Sequence, residues 1–382
     1  MKKAFTILLS LAVGCALGLV IVMLGKSSGS TSGDAVNPVV DVVALFVAVA
    51  LAAYLQIILH EAGHLVCGLL SGYHFVSFRV GSLTLLNDGN GKLRFKHFKI
   101  AGTGGQCLMS PPDVPIDKLP TGLYNAGGSL MNLLCATVAL LLIIYCDNMH
   151  FFVKYFLSAT VAVGYVFALL NGIPMKLGGM ANDGHNMLYL RRDKQSVKGF
   201  YSQLVINEKQ QNGTRLSQMP EELFNLDGDI NFSDPMQANV ELMRCSRVLD
   251  QGDIEQAYRL LNELNDSHLH ELMTLYQLEA QSELLYACLA SGHINQAKSL
   301  LNDQLERYIT KYASVMTCKQ RTLMAKALIL DGDRAEAERL YNDVVARRDS
   351  YLMPGEVKSD IELMKHLLEA QNNDQNQVKS TN

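Results

Sequence analysis

Residues 39–70 read VVDVVALFVAVALAAYLQIILHEAGHLVCGLL, an apolar run too long for one simple perpendicular bilayer crossing, with three ionisable residues set close together in its second half. His60 and His64 are four positions apart, so on a helix they project from one face, one turn apart, and can share a metal ion. Glu61 stands beside them. In zinc hydrolases two imidazoles at this spacing hold the metal, while the glutamate takes a proton from water whose pKa the zinc has lowered. Two histidines and a glutamate are costly in an apolar helix unless paired or ligated. That cost favours a metal site over a polar cluster that only braces helices.

The rest of the first half is also membrane-like. Residues 4–25, AFTILLSLAVGCALGLVIVMLG, follow Lys2 and Lys3 and are expected to form a retained anchor rather than a signal peptide, because the apolar residues continue through Leu24. A Ser/Gly-rich loop, Lys26 to Asn37, leads into the quoted stretch. Further apolar runs span Gly122 to Cys146 and Phe151 to Leu170, and the four residues between them make antiparallel neighbours. Four crossings are expected. Lys2 and Lys3, the cluster from Arg79 to Lys99, and Arg191, Arg192 and Lys194 then fall on one side, which puts both termini in the cytoplasm. Between the second and third runs, Phe75 to Cys107 alternates around Asn87-Asp88-Gly89-Asn90-Gly91, the signal of a β-hairpin with two arms.

A catalytic zinc takes three protein ligands and keeps a position open, so a third donor is required. Three Asp-Gly pairs compete. Asp88 has a sufficient explanation in its turn, and Asp227 lies in a polar loop. Asp183 follows the helix-breaking Asn171-Gly172-Ile173-Pro174 on the same side as His64 and is the expected ligand, with His185 as its rival.

With these motifs in place, residues 38–190 resemble the site-2 protease family of intramembrane zinc metalloproteases. The resemblance rests on His60 to His64, on Gly128-Ser129-Leu130-Met131-Asn132 as a counterpart of a G-P-x-x-N-like motif, and on Asn171 to Pro174 followed by Asp183-Gly184. It implies hydrolysis of membrane-embedded or membrane-associated proteins and peptides in a bacterial cell membrane, with Zn2+ held by His60, His64 and Asp183 and Glu61 as general base. Asn132 would contact the substrate backbone or the developing oxyanion. Three departures stand out: Ser129 replaces a proline, Asn182 replaces a leucine, and the segment MKLGGMAN between Pro174 and Asp183 is longer than the family's spacer. The interval between the second and third apolar runs also leaves no room for a PDZ domain.

Beyond Arg191 the chain turns polar, with 191–235 expected as a linker carrying short helices and 372–382 as a disordered tail. Between them, Gly252-Asp253-Ile254-Glu255-Gln256-Ala257, Gly292-His293-Ile294-Asn295-Gln296-Ala297 and Gly332-Asp333-Arg334-Ala335-Glu336-Ala337 recur at a period of 40. That period over 236–371 resembles a tetratricopeptide-like (TPR-like) all-α solenoid, which implies a cytoplasmic protein partner or a helical cap.

The expected architecture is thus an α-helical polytopic membrane protein with a small β-hairpin insert, followed by helical repeats. The 33 basic and 37 acidic residues leave no basic footprint for nucleic acid. Eight cysteines without a C-x-x-C pair argue against a zinc-cysteine module or a disulfide scaffold. Two other functions remain in view, a catalytically silent membrane scaffold signalling through the repeats and a transporter. The transporter expects polar groups spread along several spans, whereas here they cluster.

Overall fold

A computed structural model describes residues 38–87, 91–98, 104–177 and 179–381. The expected anchor at 4–25, its following loop and Asp88 lie outside the described residues. The chain is mostly helical, and three helices are long and apolar enough to cross a membrane. They are α1 (Pro38–Leu70), α2 (Thr121–Tyr145) and α3 (Phe151–Gly172), packed pairwise as an antiparallel bundle. At 1.5 Å per residue α1 is about 50 Å long, well beyond a hydrocarbon core of about 30 Å. Its first turns carry Val39, Val43 and Phe46 at 67%, 55% and 72% exposure, an outward apolar surface suited to lipid rather than water.

Inward, α1 presents a stripe at i, i+4 spacing: Ala48, Ala52 and Gln56 are fully buried, and His60, His64 and Gly68 continue it. Small residues let the helices approach closely. A Cβ on Gly63 would lie 2.1 Å from the Gly127 carbonyl oxygen of α2, and one on Gly127 would lie 2.3 Å from the Gly63 oxygen. The α1–α2 crossing depends on this glycine pair.

Four strands, β1 (His74–Val80), β2 (Leu83–Asn87), β3 (Leu93–His97) and β4 (Gly105–Ser110), form an antiparallel sheet in the order β3-β2-β1-β4. Two arms around one turn were expected. The second reversal is the short turn at Gly81-Ser82, where Gly81 has φ +58° and Val80 pairs with Leu83, so the first arm is itself folded, while the second supplies β3 and β4 to opposite edges of the sheet. Following α3, a short hairpin of β5 (Lys176–Leu177) and β6 (Met180–Ala181) returns the chain to α4 (Asp183–Tyr189). The long spacer of the sequence is this hairpin.

The stretch expected as a linker contains α5 (Lys194–Gln211), whose Val197, Phe200 and Leu204 are buried with Tyr73, Val76, Cys107, Met109 and Tyr124 in one apolar core. Helices α6 (Pro235–Asp250), α7 (Ile254–Glu263), α8 (Thr274–Ala290), α9 (Ile294–Leu300), α10 (Asp303–Tyr312), α11 (Thr317–Ile329), α12 (Arg334–Arg347) and α13 (Pro354–Thr381) follow. Gly252, Gly292 and Gly332 all have positive φ, at 85°, 83° and 65°, and precede α7, α9 and α12. Ala257, Ala297 and Ala337 are fully buried at equivalent places. The expected tail is instead the end of α13, since no Gly or Pro between 372 and 381 interrupts it.

Candidate metal centre

Three segments bring three donors to one point. His60 and His64 come from the inner stripe of α1, and Asp183 from the first turn of α4. Asp183 Oδ2 lies 3.1 Å from His60 Nε2 and 3.3 Å from His64 Nε2, and the two Nε2 atoms are 3.2 Å apart. Donors on a tetrahedral zinc at about 2.0–2.1 Å stand about 3.3–3.4 Å from one another, so this near-equilateral triangle fits such an ion with a fourth position left over. The donor set, two imidazoles and a carboxylate, is one that zinc accepts.

Both imidazoles are held from behind. His64 Nδ1 is 2.9 Å from the Tyr124 carbonyl oxygen and His60 Nδ1 is 2.8 Å from Asn132 Oδ1, so each Nδ1–H donates to an acceptor and each Nε2 keeps its lone pair for a metal. Asn132 is fully buried, and its Nδ2 donates to the Gln56 carbonyl oxygen at 2.8 Å and to Gln56 Oε1 at 2.6 Å. Gln56 Nε2 in turn donates to the Thr160 carbonyl oxygen of α3 at 3.2 Å. One amide relay therefore links all three long apolar helices to His60. The substrate contact that the resemblance implies for Asn132 would require one of these bonds to be exchanged.

Close backbone approach shapes the site. A Cβ on Gly128 would lie 2.4 Å from His60 Cε1, so the imidazole occupies the space that glycine leaves. On the opposite side, a Cβ on Gly105 of β4 would lie 2.8 Å from Glu61 Oε1. The Glu61 carboxylate thus sits between the metal-site helix and the strand, with the Cys107 backbone as a hydrogen-bond partner. Tyr124 joins the two layers: its hydroxyl donates to the Cys107 carbonyl oxygen at 3.3 Å, and its ring stacks on Tyr73 with centroids 4.7 Å apart.

Asp183 reaches the histidines because Asn182 makes four hydrogen bonds. Asn182 Oδ1 accepts from the backbone N–H groups of Met175 and His185 at 3.0 and 2.9 Å, and Nδ2 donates to the Leu170 and Ile173 carbonyl oxygens, both at 2.7 Å. A leucine could make none of these side-chain bonds. Gly184 completes the junction, since a Cβ there would lie 2.2 Å from the Gly172 carbonyl oxygen. Burial pushes the Asp183 carboxyl upward, but hydrogen bonds and charge from His60 and His64 outweigh it and hold the group well below the usual carboxylate range.

The rival donor is elsewhere. His185 packs at a tilt against Tyr189, with centroids 4.9 Å apart, and lines a small cavity with Lys176 and Asp234. Burial, then the Lys176 charge, lowers its pKa. Asp227 is exposed and pairs with Lys198 at 3.2 Å. The geometry brings together His60, His64 and Asp183 with Glu61 beside them, and adds Gln56, Gly63, Gly105 and Tyr124, which sequence reasoning had not singled out. For Gln56 a signal existed: it is a polar residue inside an apolar run, one helical turn before His60. The seven described cysteines are free. No protein-family model, no curated protein and no solved structure matches the chain.

Proposed function

We propose that this protein is a zinc-dependent intramembrane endopeptidase, similar to the site-2 proteases, that hydrolyses peptide bonds of membrane-embedded or membrane-associated proteins. The observation that carries the reading is the triangle of His60, His64 and Asp183, the two histidines on a helix apolar enough to cross a bilayer, with the Glu61 carboxylate next to it. His60, His64 and Asp183 hold the ion. When bound, zinc supplies Lewis-acid activation of water and of the scissile carbonyl. Glu61 accepts the proton of the attacking water and delivers it to the leaving amine, and Asn132 and Gln56 fix the orientation of His60.

The excess of Lys and Arg on the sheet and on the segment after α3 supports a cytoplasmic location for that end of the bundle and for the repeats, which we read as TPR-like. The test is a metal measurement and a cleavage assay on purified protein in detergent with a single-span substrate. Wild type is expected to carry stoichiometric zinc and to cut. Glu61→Gln is expected to keep its zinc while turnover falls on the order of 10²- to 10⁴-fold. Undiminished cleavage by that variant overturns the mechanism.

A further inference from the structure

A cavity of about 560 Å³ opens beside the start of α2, at one end of the apolar bundle. Ile116 and Asp117 line it from the single helical turn before α2, and Arg191 from the turn that follows α4. Lys194 and Lys198 enter from the first two turns of α5, and Asp227 from the loop beyond it. The positive charge here exceeds what the chain itself balances. Lys198 pairs with Asp227 at 3.2 Å. Arg191 donates to an uncharged partner, the Asp117 carbonyl oxygen, at 3.1 Å, and Lys194 makes no hydrogen bond or ion pair with any described residue. Only the Asp117 carboxylate is left among the lining residues to face those two cations. The same turns add Lys118 and Arg192, while Asp193 is occupied by hydrogen bonds from the Gln195 backbone and from the Ser196 and Gln237 side chains.

A second feature points independently to a lipid. Leu123, Leu130, Leu134 and Leu141 of α2 follow helical spacing, so they form one stripe along the helix, and each is 45–58% exposed. The stripe starts in the first turn of α2, a few residues from the cavity wall. Tyr189 is exposed as well, with the Arg192 guanidinium 4.3 Å from its ring centroid. Tyrosine and basic residues collect at the boundary between hydrocarbon and water, which is the level a headgroup occupies.

We infer that this cavity binds the headgroup of an anionic phospholipid, with the phosphate held by Arg191 and Lys194 and an acyl chain lying along the leucine stripe of α2. The phosphate oxygens accept charge-assisted hydrogen bonds from both cations, and the net positive wall favours a lipid that carries net negative charge. A soluble phosphate ester offers the same oxygens but nothing to cover the leucines. The inference stands apart from the proteolytic reading, because no member of the metal triangle lines this cavity.

The test is fluorescence anisotropy of tail-labelled phosphatidylglycerol and tail-labelled phosphatidylcholine with the full chain in a nonionic detergent. Phosphatidylglycerol is expected to bind about tenfold more tightly, and the preference is expected to shrink as salt rises. Arg191→Gln combined with Lys194→Gln is expected to remove that preference, while phosphatidylcholine binding and thermal unfolding stay close to wild type, since both side chains are exposed. Lys298→Gln, which removes an exposed cation from α9, is expected to leave the preference intact. Equal affinity for the two lipids, an undiminished preference in the double variant, or an equal loss in Lys298→Gln overturns the inference. Competition separates the sources of anion. Glycerol 3-phosphate or a glutamate–serine peptide that displaces the label as well as unlabelled phosphatidylglycerol does would assign the cavity to a soluble phosphate or to an acidic protein segment, and so overturn the lipid.

Discussion

At the apolar bundle and the start of α4, His60, His64 and Asp183 point three electron-pair donors at one spot 3.1–3.3 Å across, and neighbouring amides and carbonyls hold them there. In the repeat half, Lys319 pairs with Glu279 and Arg321 with Asp360, each at 2.6 Å, and Arg321 also pairs with Glu283, so most of that charge is balanced by the chain itself. Both regions bury ionisable groups, yet only the first converges donors without converging their counter-charge. A cluster that brings its own cations is explained by stability; a triangle of donors held rigidly apart calls for an ion.

The largest effect that sharpens this contrast is expected at Asp183. Asp183→Ala removes one of three donors and is expected to lose most of the bound zinc and all activity, while His185→Ala keeps both, as read by metal analysis and a cleavage assay. If His185→Ala strips the metal and Asp183→Ala does not, the third ligand is the histidine and the triangle is not the metal site. Next comes Arg321→Met, which leaves Glu283 and Asp360 buried without their cation and is expected to cost about 3–5 kcal/mol in denaturant unfolding. A loss near zero would mean that the repeat cluster is not held by charge.

Gln56→Leu is subtler. It breaks the relay behind His60 and is expected to weaken zinc affinity about 10- to 100-fold, measured by chelator competition, with the fold intact. Unchanged affinity would mean that Asn132 alone orients the ring. The smallest effect is expected at the exposed Asp227, where Asp227→Ala removes only the Lys198 pair and should change stability by about 0–1 kcal/mol with metal and activity retained.

These residues also mark how far the sequence could be read. His60, Glu61, His64 and Asp183 were legible because helix periodicity and a helix break carry their geometry within a few residues. Gln56, Gly63, Gly128 and Tyr124 owe their roles to other helices: Gly63 matters only because Gly127 crosses it, and Tyr124 holds His64 through a carbonyl oxygen that every residue has. The repeats were legible because the same glycine and alanine recur, one for positive φ and the other for full burial. Helix α5 was missed although Val197, Phe200 and Leu204 lie at helical spacing, since its lysines and glutamines masked that face. The turn between β1 and β2 was missed although Gly81-Ser82 between two strand-like runs is itself a hairpin signal, because the stronger one at 87–91 accounted for a single reversal.

The order of the donors along the chain has a consequence for biosynthesis. His60 and His64 leave the ribosome with α1, whereas Asp183 follows only after α2, the whole of α3 and the β5–β6 hairpin have been made. Gly179 of that hairpin lies against Met273 at the start of α8, where an added Cβ would be 2.7 Å from the Met273 Cβ, so the last donor is seated next to sequence translated later still. A nascent chain therefore holds two of the three donors, and no complete triangle, until synthesis has passed the three apolar helices and reached α4.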